Sequence, residues 1–548
     1  MKFKTLLLAT SMFVAAGVVA SQAQALSGKV SSTEEGAMEG VLVSAKREGS
    51  TMTTTVVSND KGEFRFPAGK LEPGKYTITI RAAGYTLVGP KSVDVAADTI
   101  ADIKLARSRN PALQLSNAEW LISVPGADSL KAFLPDCTGC HTLQRVFMSL
   151  HTAEEWEQVF ARMARYAPMT VPARPQLVVT GGSRSERPRV PAAEIKQAAE
   201  FLARVSLANP DRSEYELKTL PRPKGKATKV VITEWDLPRK EAMPHDVVVD
   251  ADGKAWYTDF GAQLVGEFDP KTGKVTDYTL PTYRPEQPKG SLDIELDPEG
   301  NLWVGMAYQA GAAKIDRKTK AVTPYPLNKE WVNITSQTTQ ITPTSMNVDG
   351  KVWMKESDTR NNYRLDIKTG QWENMGQPKD PSGRLISGYG IPADKDNNIY
   401  MLEFGNTRIG RTDAKTNVTK IWATPISKSR PRRGRFDDHN RLWFAEFGGN
   451  AIGMFDAKTE LIQEWKLPTP WSAPYDAAPS KDGTEVWTGS MLTDQVSRLD
   501  PATGEFIEYL LPRSTNIRRV FLEETGRRPV LWVGSNNAAS IVRVEPLD

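Results

Sequence analysis

The chain has 548 residues, of which 25% are charged, and its formal net charge is only +4. This near balance excludes both the basic footprint of a nucleic-acid-binding protein and an acidic tail. At roughly 100–200 residues per domain, the length predicts about three domains.

The first 25 residues have the pattern of a secretory signal peptide. Two lysines precede an apolar run over residues 6–20, and Ala-Gln-Ala follows at residues 23–25 as a small-residue cleavage site. The mature chain is therefore expected to begin at Leu26. No later apolar stretch is long enough to span a bilayer, so we predict a periplasmic protein without a transmembrane anchor.

Residues 26–107 alternate between apolar and polar side chains, in runs such as Lys75–Ile80 that are separated by turns. This period of two predicts a small antiparallel β-sandwich. The segments Ser58–Phe64, Leu71–Tyr76 and Ala83–Tyr85 resemble the carboxypeptidase regulatory-like domain, a transthyretin-like sandwich. The resemblance implies a scaffold or docking module and no catalytic site.

Both cysteines of the chain fall in one motif, Cys137-Thr138-Gly139-Cys140-His141. A Cys-x-x-Cys-His run indicates covalent attachment of one c-type haem, with the histidine as an iron ligand. A structural disulfide, a thioredoxin-like dithiol and half of a zinc site are the alternatives, but zinc needs two more ligands and the other histidines are scattered. Export agrees with the haem hypothesis, because cytochrome c maturation takes place outside the cytoplasmic membrane.

A small helical domain is predicted around this motif, over residues 118–206. Trp156, Phe160 and Met163 recur at helical spacing and lie on one face, which should pack against the porphyrin. The run from Trp156 to Met163 resembles a helix of small cytochrome c domains. A second amphipathic helix is expected over residues 192–205.

The sixth iron ligand is less well defined by the sequence, since haem c usually pairs its histidine with a methionine. Met163 is favoured because it lies on the predicted haem-facing side of its helix. Met169, in a proline-flanked loop, is the second choice, and His151 is the third because it is close in sequence to His141. The predicted iron ligands are therefore His141 and Met163.

The last 320 residues, 229–548, repeat an aromatic residue every 43 to 50 positions. The recurring residues are Trp256, Trp303, Trp353, Tyr400, Trp443, Trp487 and Trp532. A period of about 40–50 residues with four strand-like runs predicts a β-propeller, here with seven blades. The unpaired run Glu234–Pro238 before the first unit should complete the last blade, which leaves no open sheet edge. The predicted fold class is thus mainly β: a sandwich, a small α-helical cytochrome c domain and a seven-bladed propeller.

Three segments of the propeller resemble the streptogramin lyase (virginiamycin B lyase) family: Trp256–Gly261, Glu403–Gly410 and Leu442–Gly453. The similarity spans about residues 229–548. The resemblance implies elimination on a cyclic depsipeptide ester, with a histidine base and, fourteen residues later, a glutamate that helps to hold magnesium.

His245 and Asp259 occupy the positions that this family resemblance assigns to the base and the metal-binding carboxylate. The match is incomplete, because Asp259 is one methylene shorter than glutamate, Met243 stands two residues before the histidine, and His439 falls in a loop. Lyase chemistry with Mg²⁺ or another divalent metal therefore remains an alternative.

Further charged residues are predicted to converge on the central channel. The positions three residues after each recurring aromatic are Asp259, Met306, Glu356, Glu403, Glu446, Ser490 and Ser535. The starts of the innermost strands carry His245, Tyr389, Arg432, Arg433, Asp476, Arg518 and Arg519. We expect His245, Asp259, Glu446 and Arg433 to form a catalytic set, with mutual neutralisation of the acids and arginines as the alternative.

Three functions are compatible with this domain order. The first is a haem c-dependent oxidoreductase that binds a small polar or anionic substrate in the propeller funnel and passes electrons to a periplasmic partner. The second is a lyase, and the third is a non-catalytic electron-transfer protein. The distance between the haem motif and the funnel distinguishes them best.

Overall fold

A computed structural model describes residues 26–168, 170–178, 190–211, 214–334, 336–357 and 359–548. The predicted signal peptide and Met169 lie outside the described residues. Within the described part of the chain, no helix is both long enough and apolar enough to cross a membrane.

The N-terminal segment forms the predicted β-sandwich. Its strands are β1 (Leu26–Ser32), β2 (Gly36–Ala37), β3 (Leu42–Arg47), β4 (Met52–Val57), β5 (Glu63–Arg65), β6 (Gly74–Arg81), β7 (Tyr85–Gly89), β8 (Ser92–Val95), β9 (Thr99–Ile100) and β10 (Ile103–Arg107). One sheet has the order β2-β1-β10-β7, with β5 and β9 also paired to β1, and the other contains β4-β3-β6-β8. Apolar side chains of both sheets, including Val43, Ile78 and Phe64, fill the space between them.

A helical unit follows the sandwich. It consists of α1 (Asn117–Ser123), α2 (Asp128–Lys131), α3 (Leu134–Cys137), α4 (Leu143–Phe147), α5 (Ala153–Met163) and α6 (Ile195–Val205), with short 3₁₀ turns at Pro111–Gln114 and Ala192–Glu194. Capping boxes start two of these helices: Ser116 and Glu119 bond reciprocally at α1, and Thr152 and Glu155 do so at α5. Each N-cap contributes about 1 kcal/mol to helix stability, which fixes where these helices begin.

Residues 230–546 form seven blades around a central axis. The strands are β11 (Val230–Asp236), β12 (Pro244–Val249), β13 (Ala255–Asp259), β14 (Leu264–Phe268), β15 (Val275–Thr279), β16 (Asp293–Leu296), β17 (Leu302–Gly305), β18 (Gly311–Ile315), β19 (Val322–Pro326), β20 (Thr338–Thr342), β21 (Lys351–Glu356), β22 (Asn362–Asp366), β23 (Gln371–Gly376), β24 (Ile399–Leu402), β25 (Arg408–Thr412), β26 (Thr419–Ala423), β27 (Pro431–Phe436), β28 (Arg441–Glu446), β29 (Ala451–Asp456), β30 (Ile462–Lys466), β31 (Pro474–Pro479), β32 (Val486–Ser490), β33 (Gln495–Asp500), β34 (Glu505–Leu510), β35 (Val520–Glu523), β36 (Val530–Ser535) and β37 (Ser540–Pro546). Six of the recurring aromatics lie on the second strand of their blades, and Tyr400 lies on β24, the first of three strands in the fourth blade, where isolated bridges from Gly390 and Ala393 take the place of the innermost strand. All seven are almost completely buried.

Strand β11 closes the ring, as the sequence predicted. It pairs antiparallel with β37, Trp235 facing Ile541, and so supplies the outermost strand of the seventh blade. Its other edge pairs with β4 of the sandwich, Val231 facing Val56. The last blade and one sandwich sheet are therefore a single eight-stranded sheet, which covers the edge that an isolated blade would expose.

The helical unit sits on the face of the propeller where the innermost strands begin. The Ala118 amide donates to the Leu492 carbonyl at 2.8 Å, and the Asn516 side chain donates to the Thr138 carbonyl at 3.0 Å. Trp120 belongs to the same apolar cluster as Tyr475 and Leu492 of the propeller. This contact places the Cys-x-x-Cys-His loop directly over the mouth of the central channel.

Candidate functional site

A cavity of about 310 Å³ lies in the helical unit and is lined by Cys137, Cys140 and His141. Helix α5 supplies much of its wall, because the i, i+3, i+4 and i+7 positions of one face turn inward. These positions are Trp156, Val159, Phe160 and Met163. The predicted haem-facing side of the helix is thus the side that lines the cavity.

The donors around this cavity fit a c-type haem. The His141 Nδ1 atom bonds to the Thr142 carbonyl at 3.0 Å, which places the ring proton on Nδ1 and makes Nε2 the electron-pair donor. Among the described residues, the buried Trp156 Nε1–H has no hydrogen-bond partner. Two thiols, an imidazole, the Met163 thioether and an unsatisfied indole N–H in an apolar wall match what the porphyrin would require. His151 also lines the cavity, 4.9 Å from the Trp156 ring centroid.

The channel below the loop is built in two layers, which strand register explains. Counting back three residues from the partner of each recurring aromatic gives one set of equivalent positions on the innermost strands. The seven positions are His245, Leu292, Thr339, Tyr389, Arg432, Tyr475 and Arg518. We call His245, Tyr389, Arg432, Tyr475 and Arg518 the upper layer. The charged residues one position later form the lower layer and are Asp246, Asp293, Arg433, Asp476 and Arg519. Register shifts in blades one, five and six fall at these positions, and such bulges re-aim neighbouring side chains.

The lower layer is a network of ion pairs. Asp293 contacts Arg433 at 2.5 Å and Arg519 at 2.7 Å, and Arg519 also reaches Glu295 at 2.5 Å and Asp476 at 3.2 Å. Burial raises the pKa of Asp293, although the two arginines lower it. Arg433 is completely buried and also donates to the Thr339 carbonyl, so it links blades to one another. The alternative expectation, in which acids and arginines neutralise each other, describes this layer.

His245 is completely buried and both of its ring nitrogens are engaged. Nδ1 lies 2.5 Å from Asp246 Oδ1, and Nε2 lies 3.2 Å from the Tyr475 hydroxyl. The Tyr475 hydroxyl in turn bonds to the Tyr389 hydroxyl at 2.7 Å. Burial, followed by the positive charges of Arg518 and other arginines, holds the pKa of His245 well below its ordinary value, so the ring is neutral at pH 7. It has no nitrogen left for a substrate or a metal in this arrangement.

The upper-layer arginines are buried without a carboxylate partner among the described residues. Arg432 is 8% exposed and Arg518 is 5% exposed, and neither forms an ion pair there. Arg432 donates to Met491 Sδ and stacks on Tyr475 at 3.9 Å and on Phe404 at 4.4 Å. A cation–π contact contributes about 2 kcal/mol when desolvated, whereas an unpaired buried charge costs several kcal/mol. Aromatic stacking therefore offsets only part of this cost.

Asp259 and Glu446 do not join His245. Asp259 forms an ion pair with Arg239 and accepts hydrogen bonds from the Met243 and Gly261 amides. The equivalent carboxylates of other blades also have local partners. Glu356 accepts a hydrogen bond from the Thr359 amide in the following turn, and Glu403 forms an ion pair with Arg408. Side chains at the end of a second strand point into their own blade, so the expected ring of carboxylates does not converge. No group of three or more His, Cys, Asp or Glu side chains suited to a metal occurs among the residues that the structure describes.

Glu446 is buried beside Glu464, and burial together with this neighbour raises its pKa to about 9. A raised pKa in the folded state means that the unfolded chain ionises first, so this residue lowers stability as the pH rises from about 4.5 to 9. Replacement of Glu446 with glutamine should therefore increase stability at pH 7 by up to about 3 kcal/mol and flatten the pH profile above pH 4.5. Thermal unfolding between pH 4 and 9 measures this effect.

Glu403→Gln is the matched control, because Glu403 occupies the equivalent position but is paired with Arg408. This variant should lose stability or leave it unchanged. A Glu446→Gln protein that is less stable at pH 7 than the unmodified chain would contradict the prediction.

Sequence reasoning missed Tyr475, Asp246 and Asp293. A usable signal was present, because alignment of the units on their strand register places Tyr475 with His245 and Asp293 with Arg433. Their contacts across the ring depend on blade closure and could not be read from one unit.

The fold and site together define a propeller capped by a helical unit that carries the Cys-x-x-Cys-His motif and joined to a β-sandwich. Residues 284–547 match the virginiamycin B lyase family model, and residues 25–106 match the carboxypeptidase regulatory-like domain. The first match begins after His245 and Asp259 and includes neither.

One solved structure supports the propeller-like fold. A streptogramin B lyase structure is 22% identical, with a TM-score of 0.50, and the match covers 59% of this chain and 99% of that one. Virginiamycin B lyase from Staphylococcus aureus is also 22% identical, with a TM-score of 0.48 and coverage of 57% and 99%. At this identity the likeness concerns the fold alone. Comparison with curated protein sequences found no significant match.

Proposed function

We propose that the chain carries one covalent haem c, attached through Cys137 and Cys140, with His141 and Met163 as the iron ligands. The cavity lined by all four residues supports this proposal most directly. The haem would supply one-electron redox chemistry, while the chain orients the imidazole through the Thr142 carbonyl and encloses the ring with α5.

We further propose that the protein is a periplasmic oxidoreductase whose substrate is a small anion bound at the propeller funnel. The observation that supports this most directly is the position of the Cys-x-x-Cys-His loop. Its Gly139 carbonyl accepts a hydrogen bond from Arg518 Nη2 at 3.4 Å, and Arg518 belongs to the upper layer of the channel. Substrate site and haem motif are thus separated by one side chain. Electrons would leave through the haem to an external partner.

His245 acquires a different role from that of a substrate base. Because Asp246 and Tyr475 occupy its two nitrogens, it positions the Tyr475 hydroxyl, and through it Tyr389, rather than touching the substrate. The lyase alternative is compatible with the propeller-like fold and with the family match over residues 284–547, although that match includes neither His245 nor Asp259.

Substrate-dependent reduction of the haem tests the oxidoreductase proposal. The ferric holoprotein, kept without oxygen, is mixed with small carboxylates and inorganic oxyanions, and the visible spectrum is followed. We expect at least one of them to give the ferrous spectrum, faster with the unmodified chain than with Arg518→Gln. A haem that titrates normally by potentiometry but is inert to every compound would contradict the proposal and favour the non-catalytic electron carrier.

Substitution of Met163 with alanine should remove the absorption band that marks methionine ligation of ferric haem c, because the thioether lines the cavity at the end of α5. The haem should remain attached and the midpoint potential should fall, since methionine favours the ferrous state. Absorption spectra and potentiometric titration measure these effects. His151→Ala is the matched control and should keep the band. Retention of the band in Met163→Ala would contradict the assignment and point to another methionine, and absence of the band from the unmodified chain would favour His151 as the ligand.

A further inference from the structure

The upper layer of the channel has an uncompensated positive charge in a place where the lower layer is neutralised. In the lower layer, Arg433 and Arg519 both contact Asp293. In the upper layer, Arg432 and Arg518 have no carboxylate within ion-pair distance among the residues described, and their equivalent neighbours are histidine and tyrosine. The lower-layer arginines are thus paired with a carboxylate of the chain, whereas the upper-layer arginines have no such partner among the described residues.

The two arginines face one aromatic ring. The Arg432 guanidinium lies 3.9 Å and that of Arg518 lies 5.6 Å from the Tyr475 centroid. Burial lowers the pKa of Arg518, and the positive charge of Arg432 lowers it further, so the two groups are close enough to repel each other. An anion that contacts both would remove this repulsion.

Their remaining hydrogen-bonding capacity is consistent with a ligand. The buried Nε–H of Arg432 has no partner among the described residues, and its Nη1 donates only to a thioether sulfur, a weak acceptor. Arg518 Nη2 donates at the long distance of 3.4 Å to Gly139 O. When the Asn536 side-chain nitrogen donates to the Pro244 carbonyl, the Asn536 side-chain oxygen accepts a hydrogen bond from Arg518 Nε at 3.2 Å. Arg432 is therefore the less satisfied donor.

An open cavity lies next to Tyr389, one of the upper-layer residues. A cavity of about 470 Å³ opens over the third and fourth blades and is lined by Tyr389 and Phe404. Arg432 stacks on both rings, at 5.2 Å from Tyr389 and 4.4 Å from Phe404. The buried guanidinium and the cavity therefore contact the same two rings.

We infer that Arg432 and Arg518 form a binding site for one small anion, a monocarboxylate or an oxyanion, between the Cys-x-x-Cys-His loop and Tyr475. The site rests on the proposed function only in that its anion is taken to be the substrate. Nearby, His245 and Tyr389 hold the Tyr475 hydroxyl and thereby the ring on which both guanidinium groups lie.

Calorimetric titration of the full holoprotein with sodium acetate, and separately with inorganic phosphate, tests the inference at constant ionic strength. We expect saturable one-to-one binding of at least one probe. Arg432→Gln and Arg518→Gln should each weaken it at least tenfold. Arg498→Gln is the matched control. Arg498 also stacks on aromatic rings, but it is paired with Asp548 and does not belong to the upper layer. It should bind like the unmodified chain.

Thermal unfolding gives a second readout that does not depend on turnover. The binding probe should raise the melting temperature of the unmodified chain and of Arg498→Gln, and leave Arg432→Met unaffected. In anion-free buffer Arg432→Met should melt at or above the temperature of the unmodified chain, because an uncompensated charge has been removed. Absence of saturable binding, or equal weakening in all three glutamine variants, would overturn the inference.

Haem content is measured on the same samples by the pyridine haemochrome spectrum. Anion binding by a protein that attaches no haem would overturn the proposed function alone. Haem attachment without anion binding would overturn the anion site, and the anionic substrate with it, but would leave the haem assignment unchanged.

Discussion

Replacement of both Cys137 and Cys140 with alanine is expected to abolish covalent haem attachment completely. The chain contains no other cysteine, so no thiol remains to form a thioether. Single substitutions should keep one thioether and give a shifted haemochrome spectrum. Expression with the cytochrome c maturation machinery, followed by haem staining of denatured protein and the pyridine haemochrome assay, measures the loss.

Gly139→Ala is the matched control within the same loop. A Cβ atom at this position would lie 3.8 Å from the Asp136 carbonyl and 3.9 Å from Arg518 Nη2, which is ordinary van der Waals contact. The variant should therefore keep its haem. Covalent haem in the double alanine variant, or none in the unmodified chain under the same conditions, would refute the assignment of this motif.

Asp293→Asn should produce the largest loss of stability among the channel variants. Among the described residues, Asp293 is the carboxylate with which Arg433 forms an ion pair, and both side chains are completely buried. Leaving one member of a buried pair uncompensated costs about 3–5 kcal/mol. The melting temperature and the denaturant midpoint should both fall, as measured by circular dichroism and intrinsic fluorescence.

Asp252→Asn tests whether burial is the cause. Asp252 pairs with Arg317, but its side chain is 67% exposed, so its loss should cost less than about 1 kcal/mol. Similar losses in the two variants would mean that Asp293 does not neutralise Arg433 in the folded protein. A large loss confined to Asp293→Asn would confirm that the lower layer is structural and that Arg433 belongs to it.

Much of the architecture could be predicted because local patterns carry it. The period of two in the first segment, the recurring aromatic in the propeller and the unpaired Glu234–Pro238 run each correspond to an observed element. The helix that contains Trp156 and Met163 was likewise predictable, since amphipathic spacing fixes which face is buried. Pairing of β11 with β4 of the sandwich was not, because the edge of a strand presents backbone N–H and C=O groups, which do not depend on residue type.

The candidate site was only partly predictable for a physical reason. Ion pairs and hydrogen bonds form between blades that are far apart in sequence, as in the contacts of His245 with Tyr475 and of Asp293 with Arg433. A carboxylate such as Asp259 is equally compatible with a metal site and with a local bond to Arg239 until the distances are known. The charge of a side chain can be read from the sequence, but whether that charge is paired depends on residues that only the fold brings next to it.

By itself, the sequence determined the order of modules, the Cys-x-x-Cys-His motif and the seven-fold repeat, because these depend on residue type and spacing along the chain. Only the tertiary structure decided that the motif loop lies over the channel mouth, that Arg433 is paired with Asp293, and that Arg432 and Arg518 have no carboxylate partner among the described residues. Closure of the ring brings residues of all seven blades within bonding distance of residues from other blades. That convergence decides which charges remain to be neutralised by a ligand.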